Sequence, residues 1–193
     1  ISLNGFFQTE KYFKDIEDEI RKEFTFHEDI SEPCREMINS LDSAPIFLHV
    51  RRGDPNLVDP RGFKWSYTEC SDQHPPQPLE YYEKALKVFP EDTPVVVCSD
   101  SPEWVQEQEI FKPDRFAISI PEDKYDDGSY EPFIDLCLMS LCSGAIIANS
   151  SMSWWGAWLQ GGRGKVIAPK MWFGPAYPNN DTKDLYPEGW ILL

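Results

Sequence analysis

The chain has 193 residues, 41% of them hydrophobic, with seven Trp, eight Tyr and twelve Phe, enough for one sizeable core. A net charge of −15 excludes both the clustered positive stripe that nucleic-acid binding needs and a polybasic membrane-surface patch. An anionic ligand must therefore sit in a local positive pocket inside a negative envelope.

Residues 10–25 place Tyr12, Phe13, Ile16, Ile20 and Phe24 at helical spacing. Ser31 with Pro33 reads as a helix start, and Met37, Ile38 and Leu41 continue its apolar face. From Pro45 onward, strands and helices alternate. Strand 45–50 is followed, after a long loop, by helix 78–89 with Leu79, Tyr82, Leu86 and Phe89 inward. Strand 94–98 leads to Ser101-Pro102, a cap followed by Pro at the first turn, and a helix reaching Phe111. Strand 116–120 precedes helix 131–143, strand 144–148 precedes helix 152–160, and strand 165–168 closes the series before a Pro- and aromatic-rich tail. This alternation predicts an α/β fold: a Rossmann-like parallel sheet with helices on both faces.

Five cysteines, at 34, 70, 98, 137 and 142, form an odd set without CxxC or zinc-ligand spacing, and read as reduced, mostly buried thiols. No apolar stretch approaches the length of a membrane span. The chain opens at Ile1 without a Met and reads as a fragment, so membrane association is expected only through segments outside it.

The most informative stretch is His49-Val50-Arg51-Arg52-Gly53-Asp54, directly after Pro45-Ile46-Phe47-Leu48. A buried strand here delivers two guanidiniums to its carboxyl end, where open α/β sheets bind ligands. Arg carries the fixed fork of donors that matches phosphate oxygens. Adjacent strand side chains alternate faces, so one Arg can grip a phosphate while the other braces the loop. The plain alternative is a surface Arg pair bridging to carboxylates.

A second constellation, Asn149-Ser150-Ser151-Met152-Ser153-Trp154, occupies a strand-to-helix junction. A helix amino terminus offers unpaired N–H groups and a positive dipole end, and Ser150 and Ser151 add hydroxyl donors; an ordinary Ser cap on a core helix is the alternative. Asp135, in the first turns of the preceding helix, can turn a carboxylate toward the same crevice and accept the paired N–H donors of guanine. It can equally serve only as helix-dipole charge. The loop 55–78, with Trp65, Tyr67, His74 and five Pro, reads either as a binding or lid segment or as an accessory insertion.

HVRRGD, Ser99-Asp100, DLCLMSLC (135–142), IIANSSMSWWGAWL (146–159), VIAPKMWF (166–173) and GFFQTEKYF (5–13) together resemble glycosyltransferase family 11, the α-1,2-fucosyltransferases. The resemblance covers nearly the whole chain outside the 55–78 loop. It implies a GT-B enzyme transferring L-fucose from GDP-β-L-fucose to a galactose 2-hydroxyl of a glycan acceptor, with inversion and without metal or other cofactor. In it Arg51 would hold the β-phosphate with His49 and Arg52 supporting. Asn149, Ser150 and Ser151 would lie at the diphosphate, Asp135 at guanine and Asp100 along the donor cleft. Asp54 is the candidate base for the acceptor hydroxyl, with Asp59 and His74 behind it. The family's Gly-rich opening segment has no counterpart here. The resemblance therefore implies linker helices or a remnant of the acceptor domain over residues 1–43 and the GDP-sugar-binding domain over 44–193. It also implies a Golgi-lumenal location for a eukaryotic source, and a cytoplasmic or peripheral inner-membrane one for a bacterial source. Competing classes are a non-catalytic carbohydrate- or nucleotide-binding module, suggested by the aromatic tail, and another phosphate-gripping transferase.

Overall fold

The computed structural model describes residues 5–53, 66–120 and 132–193. Six parallel strands form one sheet: β1 (Ile46–Val50), β2 (Val95–Ser99), β3 (Phe116–Ile118), β4 (Ala145–Ile146), β5 (Val166–Ala168) and β6 (Ile191–Leu192). Their order is β3-β2-β1-β4-β5-β6, that of a doubly wound nucleotide-binding sheet. Chain direction across the sheet reverses between β1 and β4, which places a crevice beyond their carboxyl ends.

Alternation along the strands fills two cores. Phe47, Val96, Cys98, Ala145 and Val166 face one side, while Ile46, Leu48, Val50, Val95, Val97 and Ile167 face the other. The second face is covered by α3 (Leu79–Leu86) and α4 (Pro102–Glu107). The first is covered by α5 (Pro132–Leu141) and α6 (Ser151–Leu159), with α2 (Glu28–Asn39) packed on α5. Burial on both faces is why these strands read as continuous apolar runs.

Several boundaries differ from the sequence expectation. The 10–25 segment is two 3-10 turns, Glu10–Tyr12 and Lys14–Ile16, followed by α1 (Glu17–Glu23). Its apolar residues are not one buried stripe, since Tyr12 and Ile16 are exposed and only Phe13 is fully buried. Phe13 lies against Trp155 and Trp158, and Arg21 stacks 3.8 Å above Trp158, so this segment is part of the core under α6. Ser31 and Pro33 do not start α2 but lie inside it. The helix opens after His27, and the Ser31 hydroxyl accepts from Arg35 Nη2 at 2.9 Å instead of capping. The inward face of α3 centres on Tyr81, Tyr82, Ala85 and Leu86, with Leu79 and Phe89 at its margins. Ser101 precedes α4 without a capping hydrogen bond and donates to Gly53 O at 3.4 Å. β5 does not close the sheet: the tail returns as β6, two residues too short to show a strand periodicity. All five cysteines are free thiols, four of them buried. Among the described residues no helix is long and apolar enough to cross a membrane.

Candidate functional site

β1 is apolar until His49, and its backbone hydrogen-bonds to β2 through the whole length of the strand. α3 tethers its end, the Tyr82 hydroxyl donating to His49 O at 3.3 Å. The chain then turns through Gly53, whose φ of 73° lies in the left-handed region that favours glycine. That turn aims two backbone N–H groups at one acceptor: Arg52 N lies 3.0 Å from Asp100 Oδ1, and Gly53 N lies 2.7 Å from Asp100 Oδ2. Asp100, one residue beyond β2, also pairs with Arg51 Nη1 at 3.0 Å. The carboxylate is thereby committed to organising the loop.

The two arginines part as strand alternation requires. Arg52 stacks 4.0 Å over the Trp104 ring on α4, while Arg51 lies 5.1 Å from the Tyr67 ring centroid. Tyr67 is the bridge across the crevice. Its N–H donates to Arg52 O at 2.8 Å, and its hydroxyl reaches Asn149 O, beyond β4, at 3.4 Å. The carboxyl ends of β1 and β4 thus share a wall drawn from the loop before α3.

Asn149 has its polar atoms engaged within the protein. Oδ1 accepts from Gln77 at 3.1 Å, and Nδ2 donates to Pro75 O at 3.0 Å and Trp172 O at 3.1 Å. It fastens three loops rather than offering its amide outward. The described half of the 55–78 loop is knitted in further through Gly174 N to Gln73 O and Ala176 N to Asp72 O. It is a wall of the crevice, not an insertion laid on the surface. Ser150 is the residue before α6 and makes no capping hydrogen bond, and the first helical bond runs from Trp154 N to Ser150 O. The N–H groups of Ser151, Met152 and Ser153 therefore have no intrahelical acceptor. The Ser153 hydroxyl instead donates back to Ser150 O at 3.2 Å or Ala148 O at 3.3 Å.

Electrostatics favour an anion beside Arg51. Burial, with the charge of Arg51, pushes His49 down to about 3, so it stands as a neutral imidazole. The same two causes lower His74, whose ring lies 5.6 Å from that of Tyr67. Among the described residues, five buried side-chain nitrogens or oxygens lack a hydrogen-bond partner. Three of them are Arg51 Nε, His49 Nδ1 and His74 Nδ1. Unpaired buried polar atoms gathered around one cation mark a place prepared for an outside partner.

Asp135 is buried on α5 beside the carboxyl ends of β2 and β3. It accepts from the Ser119 hydroxyl at 2.7 Å, and burial raises its pKa to about 6. Among the described residues no hydrogen bond or ion pair joins it to Arg51 or to the start of α6, and its hydroxyl partner Ser119 places it toward β3. Asp54 and Asp59 lie outside the described residues. Sequence reasoning did not single out Trp104, Gln77 or Ser119 at these positions, because contacts made across the crevice leave no pattern in the local sequence.

A 3-2-1-4-5-6 parallel sheet with a guanidinium and a free helix amino terminus on either side of its switch point defines a doubly wound, Rossmann-like α/β domain. The chain belongs to glycosyl transferase family 11, whose family model matches residues 2–193. It is 32% identical over 199 residues to an Escherichia coli protein named alpha-1,2-colitosyltransferase, an alignment covering 100% of this chain and 62% of the relative. It is 30% identical over 200 residues to the O-antigen biosynthesis glycosyltransferase WbnK of E. coli, covering 99% of this chain and 60% of that protein. Similarity extends to human galactoside alpha-(1,2)-fucosyltransferase 1, at 25% identity over 171 residues, 84% of this chain and 44% of that protein. The chain thus spans about three-fifths of the length of the bacterial relatives. No solved structure matches it significantly.

Proposed function

We propose that residues 44–193 bind the donor in an enzyme that transfers L-fucose from GDP-β-L-fucose to the 2-hydroxyl of a galactose-containing glycan, with inversion and without a metal. The single observation that carries the reading is Arg51. It is pinned by Asp100 at the end of β1, across the switch point from the amino terminus of α6, with unpaired buried atoms around it.

In this mechanism the bond between the sugar C1 and the β-phosphate oxygen breaks, and the electron pair leaves with GDP. The guanidinium of Arg51 and the amino terminus of α6 meet the charge growing on that phosphate, a stabilisation larger in the transition state than in the ground state. Asp100 fixes the guanidinium beforehand, so no reorganisation is needed when charge develops. The acceptor oxygen attacks C1 from the opposite face and loses its proton, a task for which Asp54 is the nearest carboxylate in sequence. Asp135 accepts the paired donors of guanine.

The test is to titrate GDP, ADP and UDP against the protein. Guanine-selective binding that vanishes in Arg51→Ala and weakens in Asp135→Asn supports the reading, and indifference to every nucleotide points to a carbohydrate-binding module. Turnover of GDP-β-L-fucose on a galactoside should give an α-1,2 linkage and should survive EDTA. A second reading, transfer of colitose, is favoured by the 32% identical relative bearing that name, and faster turnover of GDP-colitose would establish it.

A further inference from the structure

A cavity of about 500 Å³ lies at the end of the sheet away from Arg51, where α6 finishes and where β5 and β6 begin. That volume suits a small ligand. Two glycines on its rim leave the mouth open: at Gly162 and Gly189, with φ of 73° and 88°, a Cβ would meet nothing within 4 Å. The carboxylates of Glu10, Glu17 and Glu188 line the cavity against one guanidinium, that of Arg21. Arg21 is already engaged: Nε and Nη2 donate to Glu17 Oε1 at 2.9 and 2.7 Å, and Nη1 donates to Trp158 O at 3.0 Å. Among the described residues the Glu10 and Glu188 carboxylates make no hydrogen bond or ion pair. Gln160 also lines the cavity and is only 3% exposed. Its Nε2 donates to Met139 O at 2.9 Å and Gly144 O at 3.1 Å, while its Oε1 has no partner. A buried amide oxygen of this kind calls for a donor from outside.

We propose that this cavity binds an organic cation, an ammonium or guanidinium group on an apolar stem, at a site separate from the nucleotide crevice. The side-chain groups left for a ligand are acceptors beside an indole: Glu10, Glu188, the second oxygen of Glu17 and Gln160 Oε1, with the partly exposed Trp190 next to them. Charged N–H donors satisfy such a set, whereas an anion would meet three carboxylates. The carboxyl end of α6, the negative end of its dipole, adds to the preference for positive charge. A bare metal ion is poorly served, since among the described residues no group of three His, Cys, Asp or Glu could hold one. The protein already contains the arrangement once. Arg21 lies 3.8 Å from the Trp158 ring centroid with its donors on Glu17, and Trp190 with Glu10 and Glu188 offers an outside cation the same two kinds of partner.

The test is calorimetric titration of the whole protein at low ionic strength with agmatine, with spermidine, and with a Gly-Ser peptide carrying one arginine. Agmatine should bind. Glu10→Gln should weaken it about tenfold and the more exposed Glu188→Gln about threefold, while Glu83→Gln, on α3 across the sheet, should leave it unchanged. Neither Glu10 nor Glu188 has an internal partner to lose, so both variants keep the fold, and GDP affinity should stay constant in all of them. Tighter binding of spermidine assigns the site to free polyamines, and tighter binding of the peptide assigns it to a basic side chain of a partner; either supports the site. Equal weakening in Glu83→Gln would reveal diffuse attraction to a chain of net charge −15 and overturns the proposal. So does binding unmoved in the Glu10→Gln, Glu188→Gln double variant, displacement of agmatine by a neutral galactoside, or failure of all three probes to bind.

Discussion

Asp100 does not face the crevice as a free carboxylate but clamps Arg51, its Oδ2 standing 3.0 Å from Nη1 while both of its oxygens accept backbone N–H groups of Arg52 and Gly53. The pair is one-third exposed or less on each side, so its geometry is held by hydrogen bonds rather than by long-range charge alone. The consequence is a guanidinium whose remaining donors are fixed before any ligand arrives.

Arg51→Ala should lower kcat by about a hundredfold to a thousandfold, the cost of removing one donor to developing charge. Arg51→Lys should not restore it. One ammonium cannot serve Asp100 and a phosphate with the fixed fork of a guanidinium. Steady-state kinetics on both variants checks this, and a lysine variant within threefold of wild type contradicts it.

Asp100→Asn should leave the fold intact but release Arg51. The amide must turn one N–H toward the donors of Arg52 or Gly53, leaving a part-buried N–H unsatisfied at a cost of about 1–3 kcal/mol. Misplacing the guanidinium should cost on the order of a hundredfold in kcat. The decisive comparison is GDP affinity in Asp100→Asn against that in Arg51→Ala. Similar weakening in both shows that the carboxylate acts through the arginine.

Asn149→Ala should uncouple the 66–78 segment from the segment after β5. Two of its three hydrogen bonds are buried and the third is part-buried; Gln77 keeps a bond to Met171 O, and the orphaned carbonyls of Pro75 and Trp172 should cost about 2–5 kcal/mol together. A lower urea midpoint with an unchanged m-value checks this. Unaltered stability would show that water replaces the amide without loss.

Two buried groups act on stability in opposite directions as pH falls. His49 is held near 3 in the fold against an ordinary value of about 6.5. The unfolded chain therefore takes up a proton first, and stability is lost as pH falls below about 6.5. Asp135, raised to about 6, binds its proton in the fold before the unfolded chain does, so it adds stability as pH falls from about 6 to about 4. The ionised Asp135 costs about 3 kcal/mol at pH 7. Asp135→Asn should accordingly be more stable than wild type at pH 7 and lose more on acidification, while His49→Gln should lose less. Urea unfolding at pH 7, 6, 5 and 4 reads both effects, and parallel pH slopes in all three proteins would contradict them.

The strand series from Pro45 to Ala168 was legible because sheet burial on both faces writes itself as short apolar runs between helical spacings. The leading segment misled because Tyr12 and Ile16 complete an apparent helical stripe yet stay exposed, while Phe13 is buried under α6 and Phe24 stacks on Trp155 from its rim. β6 could not be seen, since two residues carry no period and the pairing with β5 exists only once the tail has folded back.

By itself the sequence determined that His49 to Arg52 and Asn149 to Ser151 end parallel strands, because local apolar pattern and strand-to-helix punctuation depend on near neighbours. Only the tertiary structure decided that β1 and β4 are adjacent, that Asp100 turns inward to Arg51, and that Asn149 spends its amide on loops. Those facts join residues from about fifty to a hundred positions apart, and contacts of that separation are set by how the whole chain closes its core.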